Sequence, residues 1–487
     1  MLKHHADTRI PMHITPPVST RPAAAANPQD GASPTRRLAA FAASLRFEDL
    51  PRALVEQIRL HVLDGIGVSL HGATLPWTRH VADMVMAEGG HPVASLWGHQ
   101  GAPEARTSVS QAVLVNATAG HAFEMDDIHK ESILHPNSLA VPVALALAQA
   151  LPGVSGREVL AAIVAGYEVG TRVGNAATTR LFLNGFHPQG VTGTFVAAAT
   201  AGRMLGLGAD AMTHALGVAG SMGAGLMAAQ EGAMVKRLHA GRAAQGGVHA
   251  AYLAQRGFTG IENILEADYG GFLSSFSTAP RNERLTEGLG TQWEAGEVGF
   301  KMYPNVTSMH AALDAYKDLQ AAHGLRPDDV ERIEVGCGHM TYVHVAWPYR
   351  PVSVTAAQMN LFYGLSVLAM RGSLTVADYD DARIGDPAVI AFMQRIHPFE
   401  DERIESKGPA FRHAATVRVL TRAGAVLSRE VWNRRGSPEN AVSREEVEEK
   451  FFANVAGRLP AQSAQRIAGL VNALDTLPAI DELTALL

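Results

Sequence analysis

The sequence predicts a mainly α protein: a large, tightly packed helical body, a mixed α/β segment from about residue 290, and a closing helix. Three observations carry this. Ala and Gly are abundant while aromatics make up only 6%, and small side chains let helices approach closely. Apolar residues recur at helical spacing through the first half of the chain. Beyond about residue 290 the pattern instead alternates, as strands do.

A length of 487 residues suggests roughly two to four domains. The hydrophobic share of 47% and charged share of 18% are ordinary for a globular enzyme with a large core. A formal charge of −6 gives no case for a nucleic-acid or membrane partner. Cys337, the single cysteine, excludes an intrachain disulfide and a thiolate metal cluster, and it fits a reducing cytoplasm. Its setting, VGCGHM, reads as a strand end rather than a nucleophile's site. No run of eighteen apolar residues spells a membrane helix, and no secretory signal is expected. Residues 1–34, rich in proline and small residues, read as a disordered tail.

Helical periodicity begins near Arg36. Leu54, Ile58, Val62, Ile66 and Leu70 form one stripe that ends at Gly72. Residues 92–100 look extended, and 104–119 helical. Pro136 suits the first turn of a further helix. Ser155 and Glu158 form a capping box ahead of Leu160, Ile163, Val164 and Tyr167. Residues 181–192 are expected as a loop around His187. Helices are expected over 191–206, 209–228 and 231–256, with Lys236 and His239 on one face of the last. In the mixed segment, 329–337 is a strand, 355–371 a helix and 413–431 a hairpin turning at Ala423–Gly424. Ser443 and Glu446 cap a final amphipathic helix expected to pack back on the first helices.

The chemistry concentrates in residues 121–138, HAFEMDDIHKESILHPNS. His121, Glu124, Asp126, Asp127, His129, Lys130, Glu131 and His135 lie between two apolar helices. Burying ionisable groups costs several kcal/mol each unless they are paired. Three later stretches join this one: His187 in GFHPQG, Lys236, His239 and the nearby Arg237 and Arg242 in VKRLHAGR, and Lys301 with Tyr303 in FKMYPNVTSMH. Carboxylates and imidazoles exchange protons near neutral pH when burial tunes them, and lysine and arginine hold carboxylates. Each residue also has a structural reading: Asp126 and Asp127 as helix-end acceptors, His135 as a satisfied buried ring, Lys301 as a snorkelling chain. A metal-dependent hydrolase using His121, Glu124 and Asp127 is a rival, although no HExxH is present. A non-enzymatic helical scaffold is another. The chain has no Walker A loop, no GxSxG elbow and no GxGxxG after a strand.

These motifs together resemble the MmgE/PrpD family. HAFEMDDIHKESILHPNS is similar to its H-x-(L/F)-(D/E)-x-D-D segment followed by H-P. GFHPQGVTGTF, KRLHAGRAA, FKMYP and AAQMNLFY follow in the family's order. The resemblance runs from about residue 36 to the end. It implies a helical domain over 35–296 and 434–487, with an α/β lid over 297–433 whose movement Gly288, Gly290 and Gly299 would allow. It also implies a homodimer, no metal or organic cofactor, and a small carboxylic-acid substrate. By position, Asp126, His135, Lys236, His239 and Tyr363 would be catalytic. Glu124, Asp127, His187, Arg242, Lys301 and Tyr303 would bind substrate. Known members are 2-methylcitrate dehydratase, cis-aconitate decarboxylase and iminodisuccinate epimerase. Glu124 and Ile128 stand where members often have Asp and Thr, so the resemblance gives the family and leaves the substrate open. A hydro-lyase on a hydroxy-di- or tricarboxylate is the expectation, with decarboxylase or epimerase as alternatives. In that scheme Asp126 or His135 takes the proton next to a carboxylate, and His239 or Tyr363 protonates the departing hydroxyl.

Overall fold

The computed structural model describes residues 31–98 and 105–487. The expected tail lies outside the described residues up to residue 30, as does the end of the 92–100 stretch. Helix α1 (Pro34–Ser44) starts slightly ahead of expectation, because Pro34 occupies the first turn and Ser33 accepts from the Arg36 N–H.

The helical body continues with α2 (Arg52–Gly72), α3 (Val109–Gly120), α4 (Asn137–Ala150), α5 (Gly156–Leu183), α6 (Gly193–Met204) and α7 (Val235–Gln255). Small residues set its tightness. A Cβ at Gly241 of α7 would fall 2.2 Å from Thr118 Oγ1 on α3, and one at Gly247 would fall 2.4 Å from the Ala197 methyl on α6. Helix α7 is therefore wedged between α3 and α6. Both expected capping boxes form, at Ser155/Glu158 and Ser443/Glu446. Helix α5 is kinked at Thr178, whose backbone is non-helical at φ +59°, and helical structure resumes to Leu183, into the expected loop, which is then shortened further by a helical turn at Pro188–Val191.

Between α3 and α4 a two-residue strand, β1 (Ile128–His129), pairs antiparallel with β2 (Val298–Gly299). Beyond β2 come α8 (His310–His323), β3 (Val330–Cys337), α9 (His339–Val345), α10 (Leu361–Arg371), β4 (Ile396–Glu400), β5 (Ala415–Thr421) and β6 (Val426–Val431). The sheet order is β4-β3-β5-β6, with β3 and β4 parallel and the other pairs antiparallel. The hairpin turns where expected. The helix expected over 355–371 is broken: Val354–Gln358 ends before α10, and the Asn360 side chain caps α10 by accepting from Tyr363 N. The chain closes through α11 (Arg444–Val455) and α12 (Ala461–Asn472). Helix α11 lies so close to α2 that a Cβ at Gly67 would meet the Phe451 ring at 2.8 Å.

Among the described residues the apolar interior falls into two clusters. The larger unites α1 to α7 with α11 and α12. The smaller is built from residues between Tyr303 and Val431, joined by Val68, Phe123 and Met125. The long segment that builds most of the smaller cluster begins and ends at one place. Phe300 N donates to Gly436 O at 2.7 Å. A Cβ at Gly299 would fall 2.5 Å from Gly436 O, and one at Gly436 would fall 2.6 Å from Phe300 O. Gly436 also has φ +86°, which favours glycine again. No helix among the described residues is long and apolar enough to cross a membrane. Cys337 is buried at the end of β3, and burial pushes its thiol up to about 12, so it is inert as a nucleophile.

Candidate active site

The stretch from His121 to Pro136 leaves the helical regime as soon as α3 ends. Glu124 and Ile133 both hold left-handed backbone, at φ +57° and +53°. Such conformations cost of order 1–3 kcal/mol for non-glycine residues and persist only where the surroundings fix them. The surroundings here are β1, which pins the loop to β2, and a cage of cations around Glu124. Pairing of Ile128 with Gly299 sets Lys301 beside the acidic loop.

Glu124 is the hub. Its Oε1 accepts from Arg237 Nη1 at 2.6 Å and from Lys236, and its Oε2 from Lys301 Nζ at 3.3 Å. Burial alone would raise its pKa, but the three cations hold it well below the carboxylate range. The same crowding acts on Lys236. Burial lowers it most, Glu124 opposes, Arg237 and Lys301 add to the lowering, and it ends at about 8.

Asp126 sits behind this pair. Its Oδ2 accepts from His121 Nδ1 at 2.7 Å and Ser138 Oγ at 3.0 Å. Its Oδ1 lies 3.7 Å from both His135 Nδ1 and Lys301 Nζ. Burial favours its neutral form, but His135, His121 and Lys301 outweigh burial and keep it ionised. The His135 Nδ1–H donates to Asp127 O at 2.5 Å, which turns Nε2 towards the cavity. Burial drives His135 and His121 down to about 4, Asp126 opposing, so both rings are neutral at pH 7. His187 and His239 share a bond between their Nδ1 atoms at 2.8 Å. Burial lowers both, His239 to about 4.

Glu124, His135, His187, Lys236 and Lys301 line one cavity of about 70 Å³. Asp126 and His239 stand one layer back, against His135 and His187. Four other sequence candidates lie elsewhere. Asp127 faces a separate network: its carboxylate accepts from Tyr167 Oη at 2.8 Å and Asn137 N at 3.0 Å and lies 3.1 Å from His61 Nδ1. Tyr363 donates its hydroxyl to Asp378 O and stacks on Tyr349 within the smaller apolar cluster. Tyr303, within a run of bends over 302–305, donates to Asp314 Oδ1 at 2.9 Å. Arg242 is exposed and binds Gln245. It lies six residues beyond Lys236, about 240° around α7, whereas His239 lies within about 60°.

The sequence reading missed the other wall. Ser308, His344, Arg412 and His413 also line the cavity. Helix α9 follows the end of β3, and Arg412 precedes the start of antiparallel β5; the pairing of Cys337 with Ala415 puts both at one rim of the sheet. Thr341 Oγ1 donates to Arg412 O at 2.6 Å and locks them together. No local motif marks these residues, since strand pairing brings them in. The hydrolase ligand set does not assemble: Asp127 turns away from Glu124, and no metal-binding group of three His, Cys, Asp or Glu side chains occurs among the described residues.

The MmgE/PrpD N-terminal domain matches residues 36–284, and the MmgE/PrpD C-terminal domain matches residues 303–476. The chain therefore belongs to the MmgE/PrpD family. It is 29% identical to a cis-aconitate decarboxylase of Aspergillus terreus, covering 96% of this chain and 98% of that protein. It is also 29% identical to a human cis-aconitate decarboxylase, covering 91% of this chain and 92% of that one. The mouse cis-aconitate decarboxylase is 26% identical, with 93% of each chain covered.

Proposed function

We propose that the protein is a lyase that releases CO₂ from a small unsaturated tricarboxylate of the cis-aconitate kind. The observation that carries the reading is His135: a neutral imidazole whose Nδ1 is fixed by the Asp127 carbonyl and whose free nitrogen faces a cavity lined by Lys236 and Lys301. The near full-length likeness to decarboxylases supports CO₂ loss over the dehydration expected from sequence.

In the proposed step the bond between the substrate methylene carbon and its carboxylate breaks. Its electron pair forms a new double bond to the central carbon. The former double-bond pair moves to the outer carbon, next to another carboxylate, and takes one proton there. The products are CO₂ and methylenesuccinate. Charge on that carbon spreads into the adjacent carboxylate, where the ammonium groups of Lys236 and Lys301 stabilise it. His135 carries the proton. The anionic substrate raises its pKa, and Asp126, 3.7 Å from Nδ1, steadies the imidazolium. His187, backed by His239, orients a carboxylate.

The test is incubation with cis-aconitate, 2-methylcitrate and iminodisuccinate in deuterated water, followed by NMR. Methylenesuccinate carrying one deuterium on its saturated carbon is the expected product. An alkene from 2-methylcitrate with cis-aconitate untouched would instead establish a dehydratase, and deuterium at a retained stereocentre an epimerase.

A further inference from the structure

Arg412 is a buried guanidinium with charge to spare. Only 7% exposed, it donates Nη2 to the Lys130 carbonyl, yet among the described residues its buried Nε and Nη1 atoms make no hydrogen bond. The nearest carboxylate, Glu131, is half-exposed and stands 3.6 Å from Nη1. Across the same rim, His344 Nδ1 bonds Ser308 Oγ at 3.1 Å, while its buried Nε2 has no hydrogen-bond partner among the described residues. Both side chains line the cavity that Lys236 and Lys301 line from the other side. Those lysines are already balanced by Glu124 and Asp126. Unused buried donors are costly, most of all on a cation. Charged N–H groups of this kind bind carboxylates strongly.

We infer that Arg412 and His344 form a second carboxylate subsite in this cavity, so that the substrate is gripped at two ends by two different parts of the fold. The Ser308 hydroxyl donates to Nδ1 and leaves Nε2–H pointing at the ligand. The subsite selects di- and tricarboxylates over monocarboxylates. This inference rests on the reading that the cavity takes a small carboxylic acid.

The experiment is thermal-shift titration of the whole chain with propane-1,2,3-tricarboxylate, which has no double bond to react, and with acetate, at constant ionic strength. Wild type is expected to bind the triacid far more tightly than acetate. Arg412→Met and His344→Leu are each expected to weaken triacid binding at least about tenfold, the size of one lost charge-assisted bond, and to leave acetate binding unchanged. Arg412→Lys, which keeps the charge, is expected to recover part of the loss. Triacid binding unchanged in both variants, or acetate and triacid weakened equally, would overturn the subsite. If Arg412→Met does not fold, His344→Leu decides alone, because among the described residues the His344 side chain hydrogen-bonds Ser308 alone and otherwise packs on the Phe182 ring. If neither acid binds wild type, the carboxylate reading itself fails, and the subsite with it.

Discussion

Asp126 and Asp127 are neighbours in the chain, both wholly buried, and they belong to two different clusters of charge. Asp126 joins Glu124, Lys236, Arg237 and Lys301 around the cavity. Asp127 joins Tyr167, Asn137 and His61, close to Asp64, whose carboxylate lies 2.6 Å from Lys450 Nζ on α11. Lys450 also donates to Met125 O at 2.8 Å. The second cluster ties α2, α5, α11 and the acidic loop together and does not reach the cavity. Composition and burial are alike in both. What separates them is the cavity: the first cluster sets lysines and imidazoles on its wall, and the second lies away from it, with His61 Nε2 buried and unpartnered among the described residues.

Substitutions in each cluster sharpen or break this contrast. The largest effect is expected at His135. His135→Gln should lower kcat by about 10²–10⁴, the usual worth of a positioned proton carrier, while the thermal midpoint stays near wild type. Near-normal turnover in that variant would break the assignment of the first cluster to chemistry. Next comes Asp64→Ala. It strands the Lys450 ammonium and should cost about 3–5 kcal/mol of stability, with kcat per folded molecule retained. Denaturant unfolding beside active-site titration separates the two quantities. Lys236 supplies a pH signature. Its ammonium is present below about 8 and lost above, so kcat/KM for an anionic acid should fall as pH rises through about 8. Lys236→Met should lower the plateau and remove that limb; a wild-type profile flat to pH 9.5 would contradict it. The smallest effect is expected for Tyr363→Phe. It removes one donor to Asp378 O, costs about 1 kcal/mol of stability, and leaves the rate unchanged.

Local chemistry made much of this legible. The two capping boxes, the hairpin turn at Gly424 and the charged stretch at 121–138 depend on residues near in sequence, and all were readable there. Lys236 and His239 share a helix face by spacing alone. Legibility failed where pairing between distant segments decides. Tyr363 follows a recognisable motif, yet its ring is consumed by the tyrosine stack of the smaller apolar cluster. Strand β4, IHPFE, carries a proline and shows no alternation, and it is accepted only as a parallel edge strand on β3. Arg412 gains its place from the register of β3 with β5, which nothing in its own neighbours encodes.

The contact of Phe300 with Gly436 has a consequence for how such a molecule can be rebuilt. The long excursion that carries His344 and Arg412 begins and ends within one hydrogen bond. Its two ends could be joined by a short turn, or spliced onto another scaffold, with little slack to order. The excursion is thus a cassette. One wall of the cavity, Lys301 included, can be swapped for a different one while His135 and Lys236 keep their places. Under the proposed function, a change of acid specificity then needs recombination at two glycines that meet in space, Gly299 and Gly436, rather than a new proton carrier.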